Sequence, residues 1–252
     1  MNSILLSGCN GQMGKSIASC VDQRDDCKIV AGLDISNTKN GSFDVYKSVD
    51  DFKGEVDVII DFSHPSSLEK LLDFAIKTKT PAVIATTGLS DKQIQSIKDA
   101  SKVVPIFFSA NMSLGINLVK ELAQKATKVL GTSFDIEIVE AHHNKKIDAP
   151  SGTALMLADA ISEQFIDPPT YEFDRHSKRV KREKNEIGIH AVRGGTIVGE
   201  HEIIFAGHDE IIKISHTAMS KEIFATGSIN AALFICGKPA GLYSMNDLID
   251  SE

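Results

Sequence analysis

Short apolar runs bounded by glycine, proline and polar clusters alternate with helix-period segments through the first 113 residues. Residues 3–7 read as a short buried strand, and a helical spacing of Ile17, Ala18 and Val21 follows. The strand pattern recurs at 28–33, 56–62, 82–85 and 105–108, with helices over 65–77 and after Ser90. Strands and helices alternating at this pitch predict a Rossmann-like α/β fold, a doubly wound parallel sheet with helices on both faces. A long amphipathic helix at 114–130 leads into a strand at 134–140, where apolar and polar residues alternate as on a half-buried sheet. Residues 166–185 are dense in charge and read as a surface excursion. Three further strands, 187–193, 196–206 and 210–218, are separated by Gly194-Gly195 and by 207–209, as hairpin turns would separate them. With the strand at 134 they predict a second α+β domain carrying a mostly antiparallel open sheet. A last helix, 221–235, shows Ile223, Phe224, Ile229, Ala232 and Leu233 on one face, more apolar surface than a small four-stranded domain absorbs. It is expected to return to the first sheet. The domains are therefore read as 1–113 completed by 221–252, and 114–220.

Composition narrows the function. With 42% hydrophobic residues the chain can build sizeable cores, and a net charge of −7 disfavours nucleic acid or an anionic membrane as partner. No apolar run approaches the ~20 residues that span a bilayer. The amino terminus enters a strand with no basic region or cleavage site, so a cytoplasmic protein is expected. Cys9, Cys20, Cys27 and Cys236 form no CxxC pair, which suits thiols in a reducing compartment. His190, His201, His208 and His216 lie in the second domain without HxH or HExxH spacing, so no metal is expected. Arg193, beside a double glycine, is placed either to reach a carboxylate or to lie on the surface.

Two stretches carry chemistry. Gly8, Gly11 and Gly14 follow the first strand and open a helix. This Gly-x-x-Gly-x-x-Gly spacing is a variant of the dinucleotide fingerprint, in which glycines permit a tight turn and close approach of a pyrophosphate to backbone N–H groups. Asp34 ends the second strand, twenty positions beyond Gly14, where an acid accepts hydrogen bonds from ribose hydroxyls. The later strands end in Asp61-Phe-Ser-His64, Ala85-Thr-Thr-Gly88 and Ser109-Ala-Asn-Met112, small and polar residues along the carboxyl edge where such sheets take ligands. The second stretch, 140–154, holds His142, His143, Lys145, Lys146 and Asp148 between a strand and a helix that opens at Pro150-Ser-Gly-Thr153. Proton donors there adjoin a helix amino terminus, a ready anion site. A solvated basic turn would have the same composition.

The run Glu140-Ala-His-His-Asn-Lys-Lys-Ile-Asp-Ala-Pro-Ser-Gly-Thr-Ala154 resembles the signature of the 4-hydroxy-tetrahydrodipicolinate reductase family. Residues 8–14, Asp61-Phe-Ser, Thr86-Thr-Gly88, Ser109-Ala-Asn-Met-Ser113, Arg193-Gly-Gly with Val198-Gly-Glu-His201, and Gly237-Lys-Pro-Ala-Gly-Leu-Tyr243 fall in that family's order, so the resemblance spans nearly the whole chain. It implies a nicotinamide-dependent reductase of the diaminopimelate route to lysine, acting on a small dicarboxylate as a homotetramer. His142 is then the proton donor/acceptor and Lys146 the proton donor, with His143, Gly152 and Thr153 on the substrate. Gly8, Cys9, Asn10, Gly11, Gln12, Met13, Gly14, Asp34, Ala85, Thr86, Thr87, Ser109, Ala110, Asn111 and Met112 are then on the cofactor.

One departure bears on the cofactor. NADPH-competent members of the family carry an arginine in the glycine loop and another after the ribose acid, where this chain has Gln12 and Ile35. NADH is therefore the expected donor and NADPH the secondary one, with Lys39 the nearest replacement charge. Two other classes share these motifs: a Rossmann oxidoreductase acting on another small oxo or imino acid, and a dinucleotide sensor without turnover.

Overall fold

The computed structural model describes every residue except Asn37, Asn40 and Glu252. The chain runs β1 (Asn2–Ser7), α1 (Gln12–Val21), β2 (Cys27–Leu33), β3 (Asp44–Tyr46), β4 (Val58–Asp61), α2 (Leu68–Thr78), β5 (Ala82–Ile84), α3 (Asp91–Ala100) and β6 (Pro105–Phe108). It continues through α4 (Leu114–Leu130), β7 (Asp135–His142), α5 (Gly152–Ser162), β8 (Thr170–Glu172), β9 (Glu186–Arg193), β10 (Gly199–Ala206) and β11 (Ile211–Ala218). It closes with α6 (Glu222–Ile235), β12 (Gly241–Tyr243) and α7 (Met245–Ile249). Two compact units result: Met1–Leu114 with Lys221–Glu252, and Gly115–Ser220.

In the first unit seven strands pair in the order β12-β6-β5-β4-β1-β2-β3, all parallel. Alternation along β1 assigns the layers. Ile4 and Leu6 pack with Ile17 and Val21 of α1 and with Ala225, Ile229, Ala232 and Ile235 of α6. Leu5 points the other way, into Leu68, Leu71, Leu72 and Ala75 of α2 and Ile97 of α3. Helix α6 approaches so closely that a Cβ at Gly227 would lie 1.7 Å from the carbonyl oxygen of Met112. Ser90 caps α3 in a reciprocal box with Gln93. β3 was not expected from the sequence. It is a three-residue edge strand, too short for alternation to register, held by its pairing with Ala31–Leu33.

The second unit is a five-stranded sheet in the order β11-β10-β7-β9-β8. β10 pairs antiparallel with both β7 and β11, but β7–β9 and β9–β8 are parallel. The sheet is thus mixed rather than mostly antiparallel. The reason lies in the connections. Gly207 and its neighbours do turn a hairpin, whereas Gly194-Gly195 leads from β9 past β7 to β10. Helix α5 makes the crossover from β7, as parallel pairing requires. One face buries Ile136, Ile138, Ile187, Ile189, Ile203 and Phe205 under Ala154, Leu157, Ala158 and Ile161 of α5 and Val119 and Ala123 of α4. The charged excursion is anchored by Arg182, whose guanidinium donates to the carbonyls of Ile136 and Glu186 at 3.1 and 2.7 Å and to the Glu137 carboxylate at 3.0 Å.

Candidate active site residues in the two units

The glycine loop of the first unit leaves β1 at the point where the sheet order reverses, between β4 and β2. Gly8 has φ +80°, a left-handed conformation, and a Cβ there would sit 2.4 Å from the carbonyl oxygen of Phe62. A Cβ at Gly14 would sit 2.2 Å from the carbonyl oxygen of Gly8, so side chains are excluded where loop and helix close on one another. α1 begins after Gly11 with no side chain capping it, leaving backbone N–H groups for an anion. Asn10, Gly11 and Lys15 line a cleft of about 910 Å³ together with Asp34, Lys39, Lys47 and His64. Asp34 accepts from the Asn10 N–H at 3.0 Å and the Ser36 N–H at 3.1 Å, which aims its carboxylate along the cleft rim. Cys9 is buried, and desolvation first and the charge of Asp34 second push its thiol up to about 11, so it is a packing residue of the loop. Met13 packs against the same core. Gln12 opens α1 and accepts from Lys221 Nζ at 3.3 Å, a cation the sequence reading did not anticipate in this place.

The other strand ends are tied together by one buried acid. Asp61 is fully buried, and accepts from Ser63 Oγ at 2.5 Å and from Thr86 Oγ1 at 2.6 Å. Ala85 and Thr86 are buried beside it, whereas Thr87 is exposed. In the next loop the Ser109 hydroxyl bridges the N–H and carbonyl of Asn111 at 3.3 and 2.8 Å, and Asn111 Oδ1 accepts from the Ser113 N–H at 2.9 Å. Ala110 is exposed and Met112 buried.

In the second unit the sequence reading placed His142 in a loop, but β7 continues through it. The pairing of His142 with Arg193 extends the ladder by two residues and sets the ring's direction. Beyond the strand, the loop is pinned by Gly194 N–H to the His142 carbonyl at 2.9 Å and by Asn144 N–H to the Gly195 carbonyl at 3.2 Å. Lys146 Nζ lies 2.8 Å from Asp148 Oδ2, and that hydrogen bond is the main reason the Asp148 carboxyl stays below its ordinary value. α5 starts at Gly152 with Ser151 as its cap, Oγ accepting from the Ala154 N–H at 3.1 Å. Nothing stands within 4 Å of a Cβ built at Gly152, so the approach to the helix terminus is open. His143 Nδ1 is buried without a hydrogen-bond partner among the described residues.

Arg193 does reach a carboxylate, that of Glu140, with Nη1–Oε2 at 2.8 Å and Nη2–Oε1 at 2.7 Å. Glu140 lies inside the motif yet drew no role from the sequence, because its partner is 53 positions away. For His201 the sequence offered no partner, only a place among the second-domain histidines. It is 5% exposed, shares a hydrogen bond with Ser151 Oγ at 3.0 Å, and burial above all pushes its pKa down to about 4. Among the described residues no group of three or more His, Cys, Asp or Glu is placed to hold a metal ion.

Comparison with known proteins bears on both units. Residues 2–112 match the family model described as dihydrodipicolinate reductase, N-terminus, and residues 115–249 the one described as dihydrodipicolinate reductase, C-terminus. The chain belongs to the dihydrodipicolinate reductase family. Within that family it is similar to the 4-hydroxy-tetrahydrodipicolinate reductase of Caldanaerobacter subterraneus, 51% identical over 99% of this chain and 98% of the relative. It is 49% identical to that of Clostridium tetani, over 100% of this chain and 98% of the relative. In fold it resembles the dipicolinate-bound dihydrodipicolinate reductase of Paenisporosarcina sp. TG-14, with a TM-score of 0.82 at 23% identity, covering 98% and 99% of the two chains.

Proposed function

We infer that this member of the dihydrodipicolinate reductase family reduces 4-hydroxy-tetrahydrodipicolinate, by way of dihydrodipicolinate, to tetrahydrodipicolinate in the diaminopimelate route to lysine. The observation that carries the reading is the match of both halves of the chain to one reductase family. A nicotinamide dinucleotide fits the first unit: an uncapped α1 terminus for the pyrophosphate, glycines where a Cβ would collide, and Asp34 for ribose hydroxyls. When bound, it supplies the hydride. Residues 8–14, Asp34, 85–87 and 109–112 are the proposed holders of the cofactor, with Asp61 fixing Ser63 and Thr86 beside it.

The second unit supplies charge and protons. One substrate carboxylate is assigned to the N–H groups of Gly152 and Thr153 at the α5 terminus, with the unpartnered Nδ1 of His143 as a further contact. Lys146 lies in the loop between β7 and α5, and His142 at the end of β7 shares Glu140 with the Ser151 N–H just ahead of that terminus. Reduction of the ring's conjugated system would build negative charge on the atom to be protonated, and a cation held beside that atom would lower the barrier. Lys146 is the proposed donor and His142 the proposed donor/acceptor. The assembly is proposed to be a homotetramer in the cytoplasm. No helix among the described residues is long and apolar enough to cross a membrane.

A coupled assay tests the reading, with the substrate formed in situ from pyruvate and aspartate semialdehyde and nicotinamide absorbance followed at constant enzyme. Turnover with this substrate and none with a panel of 2-oxo acids is expected. Cofactor binding without turnover would point instead to a dinucleotide sensor.

A further inference from the structure

Glu140 is completely buried, and the chemistry above does not use it. Three elements converge on its two oxygens. Arg193 of β9 donates to both, His142 of β7 meets Oε2 with Nδ1 at 2.7 Å, and the Ser151 N–H ahead of α5 donates to Oε1 at 3.0 Å. Burial alone would raise this carboxyl's pKa, but the hydrogen bonds from Arg193, His142 and Ser151 outweigh it and hold the group below its ordinary value. An ionised carboxylate only accepts, so the hydrogen of this bond belongs to His142 Nδ1, and Nε2 is the nitrogen left to exchange a proton. That nitrogen faces Gly199, where a Cβ would come within 3.1 Å of it, so the missing side chain keeps Nε2 uncrowded.

The remaining neighbours of the ring have other tasks. His201 of β10 packs edge-on against it, with centroids 5.2 Å apart, and bonds Ser151 Oγ. His216 of β11 and Lys146 of the loop act on His201 in turn. Arg193 also donates to the Asp148 carbonyl at 2.6 Å and to the Val192 carbonyl at 2.7 Å, so both of its terminal nitrogens are engaged within the protein.

We propose that Glu140, clamped by Arg193, is a positioning residue that fixes His142 as the Nδ1-protonated tautomer and holds the ring with Nε2 turned away from the carboxylate. The proposal rests on His142 as the proton carrier of the reaction inferred above. It predicts that the carboxylate's effect appears in the proton-transfer step and leaves cofactor binding untouched.

The test begins with ¹⁵N spectroscopy of the imidazoles, the His142 signal being assigned by its loss in His142→Gln. Wild-type protein should show the proton on Nδ1; an Nε2-protonated His142 would overturn the proposal without any further variant. The double variant Glu140→Leu/Arg193→Met removes the buried pair together, which avoids stranding one charge, and is compared with Glu140→Gln. Both should lose the Nδ1 signature and about 10- to 100-fold in kcat, while KM and the NADH dissociation constant stay within about threefold. Adding His142→Gln to the double variant should cost no more than His142→Gln alone. A folded double variant with the wild-type tautomer, or a lowered kcat with the tautomer unchanged, would overturn the proposal. Wild-type turnover in His142→Gln would instead remove the catalytic assignment of His142, while the tautomer measurement still decides whether Glu140 holds the ring.

Discussion

The two units build their sites from different materials. In the first, backbone does the work: a glycine turn and an uncapped helix terminus a few residues apart in sequence, with the ends of successive parallel strands beside them in the sheet. In the second, a single carboxylate gathers an arginine, a histidine and a backbone N–H from three elements. Backbone sites tolerate changes of charge and fail on changes of volume. Side-chain networks do the reverse, because each buried donor depends on its partner. The contrast predicts where each unit breaks.

The largest effect is expected from volume at the glycine turn. Gly14→Val places its Cβ only 2.2 Å from the Gly8 carbonyl oxygen, well inside van der Waals contact, so the loop must open. NADH affinity measured by fluorescence titration should fall by at least about 100-fold, or about 2.7 kcal/mol. Binding of dipicolinate, used as a dicarboxylate probe of the anion site proposed for the second unit, should persist in the same preparation. Retained NADH affinity would show that the turn is not the cofactor's seat.

Charge in the second unit should act next. Lys146→Ala is expected to depress kcat by about 100-fold with little change in KM, since a proton donor counts most as charge develops. Thr153→Val should mainly raise KM, because a carboxylate contact exists before and during reaction. Neither should alter NADH titration. Wild-type turnover in Lys146→Ala would return that residue to the solvated surface, and lost NADH binding would move it to the cofactor.

His201 sets a pH dependence of stability. Its pKa is depressed from 6.5 to about 4, so between those values the unfolded chain binds a proton that the native ring refuses. Stability therefore rises with pH through this window and is lost as pH falls from about 6.5 towards 4, by about 3 kcal/mol for this group. His216, its burial lowering its pKa, adds in the same direction. The depressed carboxyl of Glu140 adds a further loss at lower pH, as it protonates. Thermal midpoints of wild type and His201→Gln, measured from pH 4 to 7.5, should differ in slope over that window; equal slopes would remove His201 as the cause.

The smallest effect concerns the donor. As the proposed ribose acid, Asp34 would favour free ribose hydroxyls and repel a 2′-phosphate, and Ile35 is 94% exposed with no charge to offer. Lys39 and Lys47 line the same cleft, but Lys39 is already engaged with Asp44 at 3.2 Å. NADH should exceed NADPH in kcat/KM by about tenfold, about 1.4 kcal/mol. Lys39→Ala and Lys47→Ala should each reduce turnover with NADPH and spare NADH. An NADPH preference in the wild type would mean the lysines outweigh Asp34.

Much of this was readable before the structure, and the exceptions share a cause. The helix at Leu114–Leu130 and the strand at Pro105–Phe108 follow directly from periodicity, because an apolar stripe or alternation is a local consequence of what each element buries. The glycine spacing and the 140–154 motif were equally local, and so were the residues drawn from them. Tertiary structure alone decided the direction of β9 beside β7, since glycine pairs permit a hairpin without compelling one and the α5 crossover settles the pairing. It alone assigned Arg193 to Glu140, 53 positions apart, and His201 to Ser151, 50 apart. Local sequence specifies periodicity and turn chemistry. Which buried charge meets which partner depends on strand order, and strand order is settled only when the whole sheet packs.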